Sequence, residues 1–504
     1  MTSLEKALLI LLVIVSLSLN TFRLSSIPGG LHGDEAQHGL QAIEILEGKY
    51  RLLDFGWYGL PIPSFLAQAM GIWFFGKTIF ALRISSAIIG SLTLIPFYYL
   101  IRLLFDRKTA LFSAVFLATS HWWIAYSRLG ENYIHVPFIA VVGLLLIVLG
   151  FRTKKLWLAC LAGVVTGINF YLYFAARLTP ILSCILLMYF VFTTKPKQSV
   201  LKILFAILIG FFVMYLPFLM VSMQQREVAF SRQNDVYIYG TGLGSRWRQE
   251  TYGDRQVWDT IAGQFSKTFS LKSGWRDTSG QYGYRGWIVD PASGILLMLG
   301  FVGIVFIRAP GIQYFPLVWL MLTVFTGWIL TENPPFSPRV VGAIPALAVL
   351  VGFGVNILNL IIRRFTSILR ISLISICTIC VIFYNLHAYF IRGVYEEWGD
   401  PNKYVATDIA VKMNRLSGYT IVFLTAPFIY ADFGPIRYLA SETKIVSVDQ
   451  PISYQPIITH RTLFVLHPNY EFLLANIIAL NPNGTIDRKI SHTGTTQVIY
   501  YQVN

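Results

Sequence analysis

Long apolar runs separated by short polar turns organise most of this 504-residue chain. They lie near 7–24, 82–101, 109–126, 134–151, 156–172, 177–192, 201–220, 291–307, 314–330, 340–360 and 369–387. Each approaches the length of a membrane-crossing helix, so the pattern predicts eleven spans. A further apolar stretch at 62–76 is short for a span and predicts an amphipathic or interfacial helix. Beyond residue 387 the pattern changes. Short β-like runs at 419–426, 443–448, 461–467 and 495–503 alternate with polar stretches such as 402–416, which reads as a helix. The expected fold is a polytopic α-helical membrane protein over 1–387, followed by a small soluble α/β domain over 388–504.

Composition agrees. The chain is 55% hydrophobic and 13% charged, about half the ~25% charged fraction of soluble domains. The formal net charge of +15 does not point to nucleic acid, because much of it sits in short turns between apolar runs. Arg102, Arg107 and Lys108 form one such turn, and Arg152, Lys154 and Lys155 a second. Lys195, Lys197 and Lys202 form a third, Arg363, Arg364 and Arg370 a fourth, and Arg308 a weaker fifth. With eleven spans and a cytoplasmic start, all fall on the cytoplasmic side. The first apolar run has only Lys6 before it and no A-x-A cleavage site, so it reads as a retained helix. Cys160, Cys184, Cys377 and Cys380 all lie in apolar segments, where CTIC reads as small helix residues rather than a metal or redox motif. No nucleotide fingerprint is present.

The opposite, external face then collects loop 25–61, the turns near 127–133, 173–176 and 331–339, the loop 221–290 and the tail. Candidate chemistry is concentrated there. Asp34 and Glu35, in GDEAQHG, are two adjacent carboxylates at a membrane edge. Asp34 is placed near the N-cap of the helix that follows. Desolvation at a lipid boundary pushes carboxylates towards neutrality, which suits a general base. His32 and His38 flank the pair, leaving a divalent metal open. Arg128 and Glu131, in SRLGENYIH, are three apart and are expected to share a helical face. Arg177 follows Tyr171, Tyr173 and Phe174 at the external edge, and Arg339 follows a proline-rich turn. A guanidinium at that depth needs a partner, and a lipid phosphate is a natural one. Loop 221–290 carries seven arginines and several tyrosines, which suits an anionic headgroup or a carbohydrate-bearing partner. Each feature also has an ordinary reading: a helix cap, a self-satisfied Arg–Glu pair, a snorkelling Arg, a rigid turn, a solvated cap over the helices.

With these segments in hand, the chain resembles the GT-C class of membrane glycosyltransferases. The likeness is to the dolichyl-phosphate-mannose protein mannosyltransferase-like group, which includes aminoarabinose transferases acting on lipid A. It covers roughly residues 1–387 and rests on GDEAQHG, SRLGENY, YFAARLTP and NPPFSPRVVGAIPALA in that order. It implies a polyprenyl-phosphate-linked sugar donor, inverting transfer, and an acceptor that is a glycan, lipid or protein. It places the catalytic acid on Asp34 with Glu35 beside it, and a second acidic position on Glu131. The donor phosphate falls to Arg177 or Arg339, with Arg128 a third candidate. His38, Tyr133, Tyr173, Tyr282 and Arg285 are expected to contact substrate. The resemblance leaves a divalent metal open and implies no other cofactor. The competing reading is a transporter or flippase of an anionic lipid. It predicts paired halves with broken helices, which the sequence does not show. The expected setting is a prokaryotic plasma membrane, with the site and the tail outside.

Overall fold

The computed structural model describes residues 2–269, 276–306, 311–440 and 444–504. Among them, eight helices are long and apolar enough to cross a membrane: Ser3–Thr21, Ile79–Leu104, His135–Thr153, Phe174–Thr193, Lys197–Gln224, Ile312–Ile329, Ser337–Arg364 and Ser367–Tyr395. The other three expected spans are shorter or broken. Leu156–Tyr171 and Pro291–Phe306 are apolar but short. The span expected at 109–126 divides at Ser120 into helices Arg107–Thr119 and His121–Ser127. The stretch at 62–76 is an apolar helical segment, Ile62–Phe75. Arg308 lies outside the described residues.

Ser337–Arg364 is almost wholly buried and forms the axis of the bundle, whereas little of Ser367–Tyr395 is fully buried. The exposed residues of the latter include Ile368, Ile371, Ile376, Ile379 and Phe383, as expected of a helix that faces lipid. Small residues let backbones approach closely. A Cβ on Gly163 would strike the carbonyl of Ile207, and one on Gly354 would strike that of Leu296. Helix Leu156–Ile168 therefore packs tightly on Lys197–Gln224, and Pro291–Phe306 on Ile344–Ile361.

The segment 221–290, expected as a loop, is largely helical, with Arg226–Val236, Leu243–Tyr252 and Val257–Phe269. The helices are short, and their polar faces hid them from a search for apolar runs.

The tail forms a mixed five-stranded sheet of β1 (Thr420–Leu424), β2 (Lys444–Ser447), β3 (Thr462–Leu466), β4 (Thr485–Ile490) and β5 (Thr496–Val503). The strand order is β2-β1-β3-β5-β4. β1 runs parallel to β2 and β3, while β5 is antiparallel to β3 and β4. The four expected strands are present, as is the helix Pro401–Arg415. β4 is additional. Its sequence TIDRKI is charged and mostly exposed, a character common at sheet edges and invisible to a search for apolar runs.

The sheet unit rests on the helix that carries Asp34. Tyr438, buried with Leu31, Ala36 and Ala42, donates its hydroxyl to Thr78 O at 3.1 Å. The amide of Leu31 donates to Thr407 Oγ1 at 2.8 Å.

Candidate active site

The helix Gly33–Leu46 buries Glu35, Ala36, His38, Gly39, Gln41 and Ala42 along one face. Its N-cap is His32, not Asp34. His32 Nδ1 accepts the amide of Asp34 at 3.2 Å, and the His32 amide donates to Glu35 at 3.4 Å. The cap thus uses the imidazole and leaves the Asp34 carboxylate for other work. Asp34 Oδ2 accepts from Gln281 Nε2 at 2.8 Å, and the same amide lies 3.3 Å from the Tyr133 hydroxyl.

Glu35 is placed differently. It is fully buried, and Arg83 holds it through Nε–Oε1 at 2.6 Å and Nη2–Oε2 at 2.9 Å. The Gly130 amide adds a third bond at 2.7 Å. Arg83 and these hydrogen bonds outweigh burial and hold its carboxyl below the usual range. Glu35 is thus committed to an ion pair inside the fold, where the sequence reading placed it beside the catalytic acid. Arg83 was not singled out from sequence, although an arginine inside an apolar run was the available signal.

Arg128 is likewise spent on structure. Its guanidinium donates to the carbonyls of Leu19, Phe22 and Ile27 and lies 5.1 Å from the Phe390 ring centroid. It forms no ion pair with Glu131. The helix ends at Ser127, so residues 128 and 131 never share a helical face. Arg83 adds bonds to Leu24, Pro28 and Gly30. Two buried arginines thus pin the chain from residue 19 to 30, which leads into the Asp34 helix.

Glu131 is buried, and neither carboxyl oxygen has a hydrogen-bond partner among the described residues. His32 Nδ1 is 3.9 Å away. Burial, reinforced by the carboxylates of Asp34 and Glu35, pushes its pKa well up.

Asp34 lines a small polar cavity of about 60 Å³ with His38, Trp57, Tyr133, Tyr173 and Arg232. A larger cavity of about 380 Å³ adjoins it and contains Arg177, Arg339, Gln233 and Thr326. Tyr173, Phe174 and Arg232 line both. Arg177 and Arg339, sequence alternatives for one role, face the same space. Arg177 donates Nη1 to Gln233 at 3.2 Å, lies 4.7 Å from the Phe174 ring centroid, and leaves Nε and Nη2 buried without hydrogen-bond partners. Arg339 is held by Glu332, with Nη2–Oε1 at 3.0 Å. Arg232, half-buried over the Tyr58 ring at 4.4 Å, stands at the junction. It was missed because it was one of seven arginines in a single segment.

Two expected contacts lie elsewhere. Tyr282 bonds to His121 and stacks on Tyr284, 5.7 Å between centroids, and lines neither cavity. Arg285 is exposed and also lines neither. The residue of that segment that does reach the site is Gln281. Buried Asp277 fixes the segment by accepting from Ser279, from the Gly283 amide at 3.1 Å, and from Ser337 N and Oγ at 2.9 and 2.7 Å. This ties the Gln281 loop to the start of the helix that carries Arg339.

Lys403, from the first helix of the tail, is also buried here, 5.0 Å from the Tyr404 ring centroid. Burial, and after it the charge of Arg83, lower its pKa to about 8 against the pull of Glu35, Asp400 and Glu131. His32 and His38 each use Nδ1 on the backbone of the Asp34 helix. Among the described residues no three His, Cys, Asp or Glu side chains are grouped as a metal site would need.

Residues 61–221 match the model of the dolichyl-phosphate-mannose-protein mannosyltransferase family. No curated protein matches the chain at a significant level. Among solved structures, ArnT from Cupriavidus metallidurans in the apo state superposes with a TM-score of 0.58 at 12% identity, covering 99% of this chain and 98% of that one. The same ArnT bound to undecaprenyl phosphate gives a TM-score of 0.57 at 13% identity, covering 99% and 97%. The oligosaccharyltransferase of Archaeoglobus fulgidus gives 0.56 at 14% identity, covering 98% of this chain and 74% of that one. The chain shares its fold with ArnT and with the archaeal oligosaccharyltransferase.

Proposed function

We propose that this chain is an inverting glycosyltransferase. It moves a sugar from a polyprenyl-phosphate-linked donor to an acceptor hydroxyl at the external membrane face of a prokaryotic cell. The observation that carries the reading is the pair of adjoining cavities, one with a carboxylate and one with arginines, sharing Tyr173, Phe174 and Arg232.

In this mechanism the donor phosphate lies in the larger cavity against Arg177 and Arg339, with Arg232 at the junction. The sugar C1 then sits between that cavity and Asp34. Asp34 takes the proton of the acceptor hydroxyl. The acceptor oxygen forms its bond to C1 as the C1–O(phosphate) bond breaks from the opposite side. The bonding pair leaves with the phosphate, where arginines stabilise the growing negative charge. Gln281 holds the Asp34 carboxylate in position. Glu131, buried close to His32 of the Asp34 helix, is assigned the orienting of acceptor or sugar. The protein that ArnT's structure shows binding undecaprenyl phosphate shares this fold, which supports the lipid-phosphate donor.

A transfer assay with prenyl-phosphate sugars, run on wild type and Asp34→Asn, tests the reading. The expected result is loss of transfer by about 10²–10⁴-fold, the usual contribution of a general base. Intact transfer in Asp34→Asn would remove the proposed base. Lipid translocation without any transfer in the wild type would replace the enzyme with a flippase.

A further inference from the structure

A second cleft, of about 700 Å³, opens far from Asp34 between helices Arg107–Thr119, Ile344–Ile361 and Ser367–His387. Its position along the bundle follows from one helical run. Arg339, at the larger cavity, lies in the 3-10 turn Ser337–Ala343, and from Ile344 the α-helix rises about 22 Å at ~1.5 Å per residue to Asn359, at this cleft. With the preceding turn, that crosses most of a hydrocarbon core of about 30 Å. The cleft therefore sits at the opposite membrane boundary from the candidate active site.

Its polar end is cationic. Arg107, Lys108 and Arg370 line it beside Asn359. Arg107 is partly used, with Nε 3.0 Å from Glu5 Oε1. Lys108 and Arg370 have no ion-pair partner among the described residues. The nearby acid, Asp106, is occupied as a helix cap, accepting Lys108 N at 2.8 Å, Thr109 N at 3.0 Å and Thr109 Oγ1 at 2.7 Å. Below the cations the wall becomes apolar, with Phe112, Ile374 and Ile379. One side of the cleft is the helix that stands largely clear of the bundle, so the cleft opens laterally towards lipid. Positive charge above an apolar, laterally open slot matches a phosphate headgroup with acyl chains and matches no soluble anion.

We propose that this cleft is a binding site for an anionic phospholipid. The phosphate lies between Lys108 and Arg370, and the chains run along Phe112, Ile374 and Ile379. The lipid joins the outlying helix Ser367–His387 to the bundle. A prenyl phosphate reacting at Asp34 is a different molecule, because the two sites face opposite boundaries.

The test uses the full chain purified in a neutral detergent. Bound lipid is counted by native mass spectrometry, and thermal unfolding is followed while phosphatidylglycerol or phosphatidylcholine is added. Phosphatidylglycerol is expected to bind saturably and raise Tm, and phosphatidylcholine to do neither. The variant Lys108→Gln/Arg370→Gln should unfold like wild type without lipid and lose about tenfold or more in affinity, in line with the usual effect of two cations at an anionic headgroup. Lys154→Gln/Lys155→Gln, which removes the same charge from another turn, should bind as wild type. Unchanged binding in the first variant would overturn the site, as would an equal loss in the second. Stabilisation by farnesyl phosphate but not by phosphatidylglycerol would overturn the phospholipid assignment.

Discussion

Glu35 and Arg83 form a bidentate ion pair in which neither side chain reaches solvent, with Nε–Oε1 at 2.6 Å and Nη2–Oε2 at 2.9 Å. The pair divides two adjacent carboxylates between two tasks. Glu35 anchors the start of its helix to the bundle, and Asp34 lines the polar cavity. Breaking a buried pair from one side leaves an uncompensated charge, at a cost of about 3–5 kcal/mol. Arg83→Met and Glu35→Gln should each unfold at markedly lower temperature. The double variant Arg83→Met/Glu35→Leu should regain part of the loss. Single variants with wild-type melting would show that the pair is not what holds the helix.

Gln281 provides a milder test of the same site. It donates to Asp34 at 2.8 Å and comes from a segment fixed by Asp277. Gln281→Ala should lower kcat about tenfold or more by freeing the carboxylate, with little change in KM for the prenyl donor. A change confined to KM would move Gln281 from positioning the base to binding the donor.

The larger cavity should govern donor affinity. Hydrogen bonds to charged groups contribute about 1.5–3 kcal/mol each. Arg177→Gln, Arg232→Gln and Arg339→Gln should therefore each weaken binding of a prenyl phosphate about ten- to a hundredfold. Arg128→Gln should instead lower stability, because its donors are already on Leu19, Phe22 and Ile27. Direct binding measured alongside thermal unfolding separates the two behaviours.

Glu131 should impose a pH dependence on stability. Its folded pKa lies well above the ordinary 4.5 because of burial and the neighbouring Asp34 and Glu35. Above pH 4.5 the unfolded chain releases a proton that the folded chain keeps, so this group's contribution falls as pH rises towards the folded value. Glu131→Gln, close in shape to the neutral acid, should remove that slope, matching wild type in acid and becoming the more stable of the two as pH rises towards neutrality. Unfolding curves across the acid-to-neutral range would show parallel slopes if Glu131 were ionised in the fold.

Lys403 works in the opposite sense. Burial and Arg83 hold it at about 8, against an ordinary value of 10.5. Between those values the unfolded chain binds the extra proton, so stability rises with pH across the window. Lys403→Met should flatten that rise and raise Tm by several degrees at pH 7. Equal slopes in wild type and variant between pH 8 and 10.5 would contradict the burial of a strained ammonium.

The sequence by itself determined the apolar helical character of residues 1–387, eight of whose expected spans are long apolar helices, and the α/β character of the tail. Apolar run length, turn charge and strand alternation are local properties, legible residue by residue. Tertiary structure decided which side chains remain open to a substrate. A guanidinium carries five donors and bonds to whatever acceptors the fold brings within reach. Nothing near Arg128 in sequence foretells the carbonyls of Leu19 and Phe22, and nothing near Glu35 foretells Arg83. The same through-space logic gathered Arg177, Arg232 and Arg339 around one cavity and brought Gln281 to Asp34. It also turned Tyr282 and Arg285 away from both cavities. Asp34 stands apart from its neighbour because a helix turns by about 100° per residue. One of two adjacent acids therefore meets the bundle while the other meets the cavity.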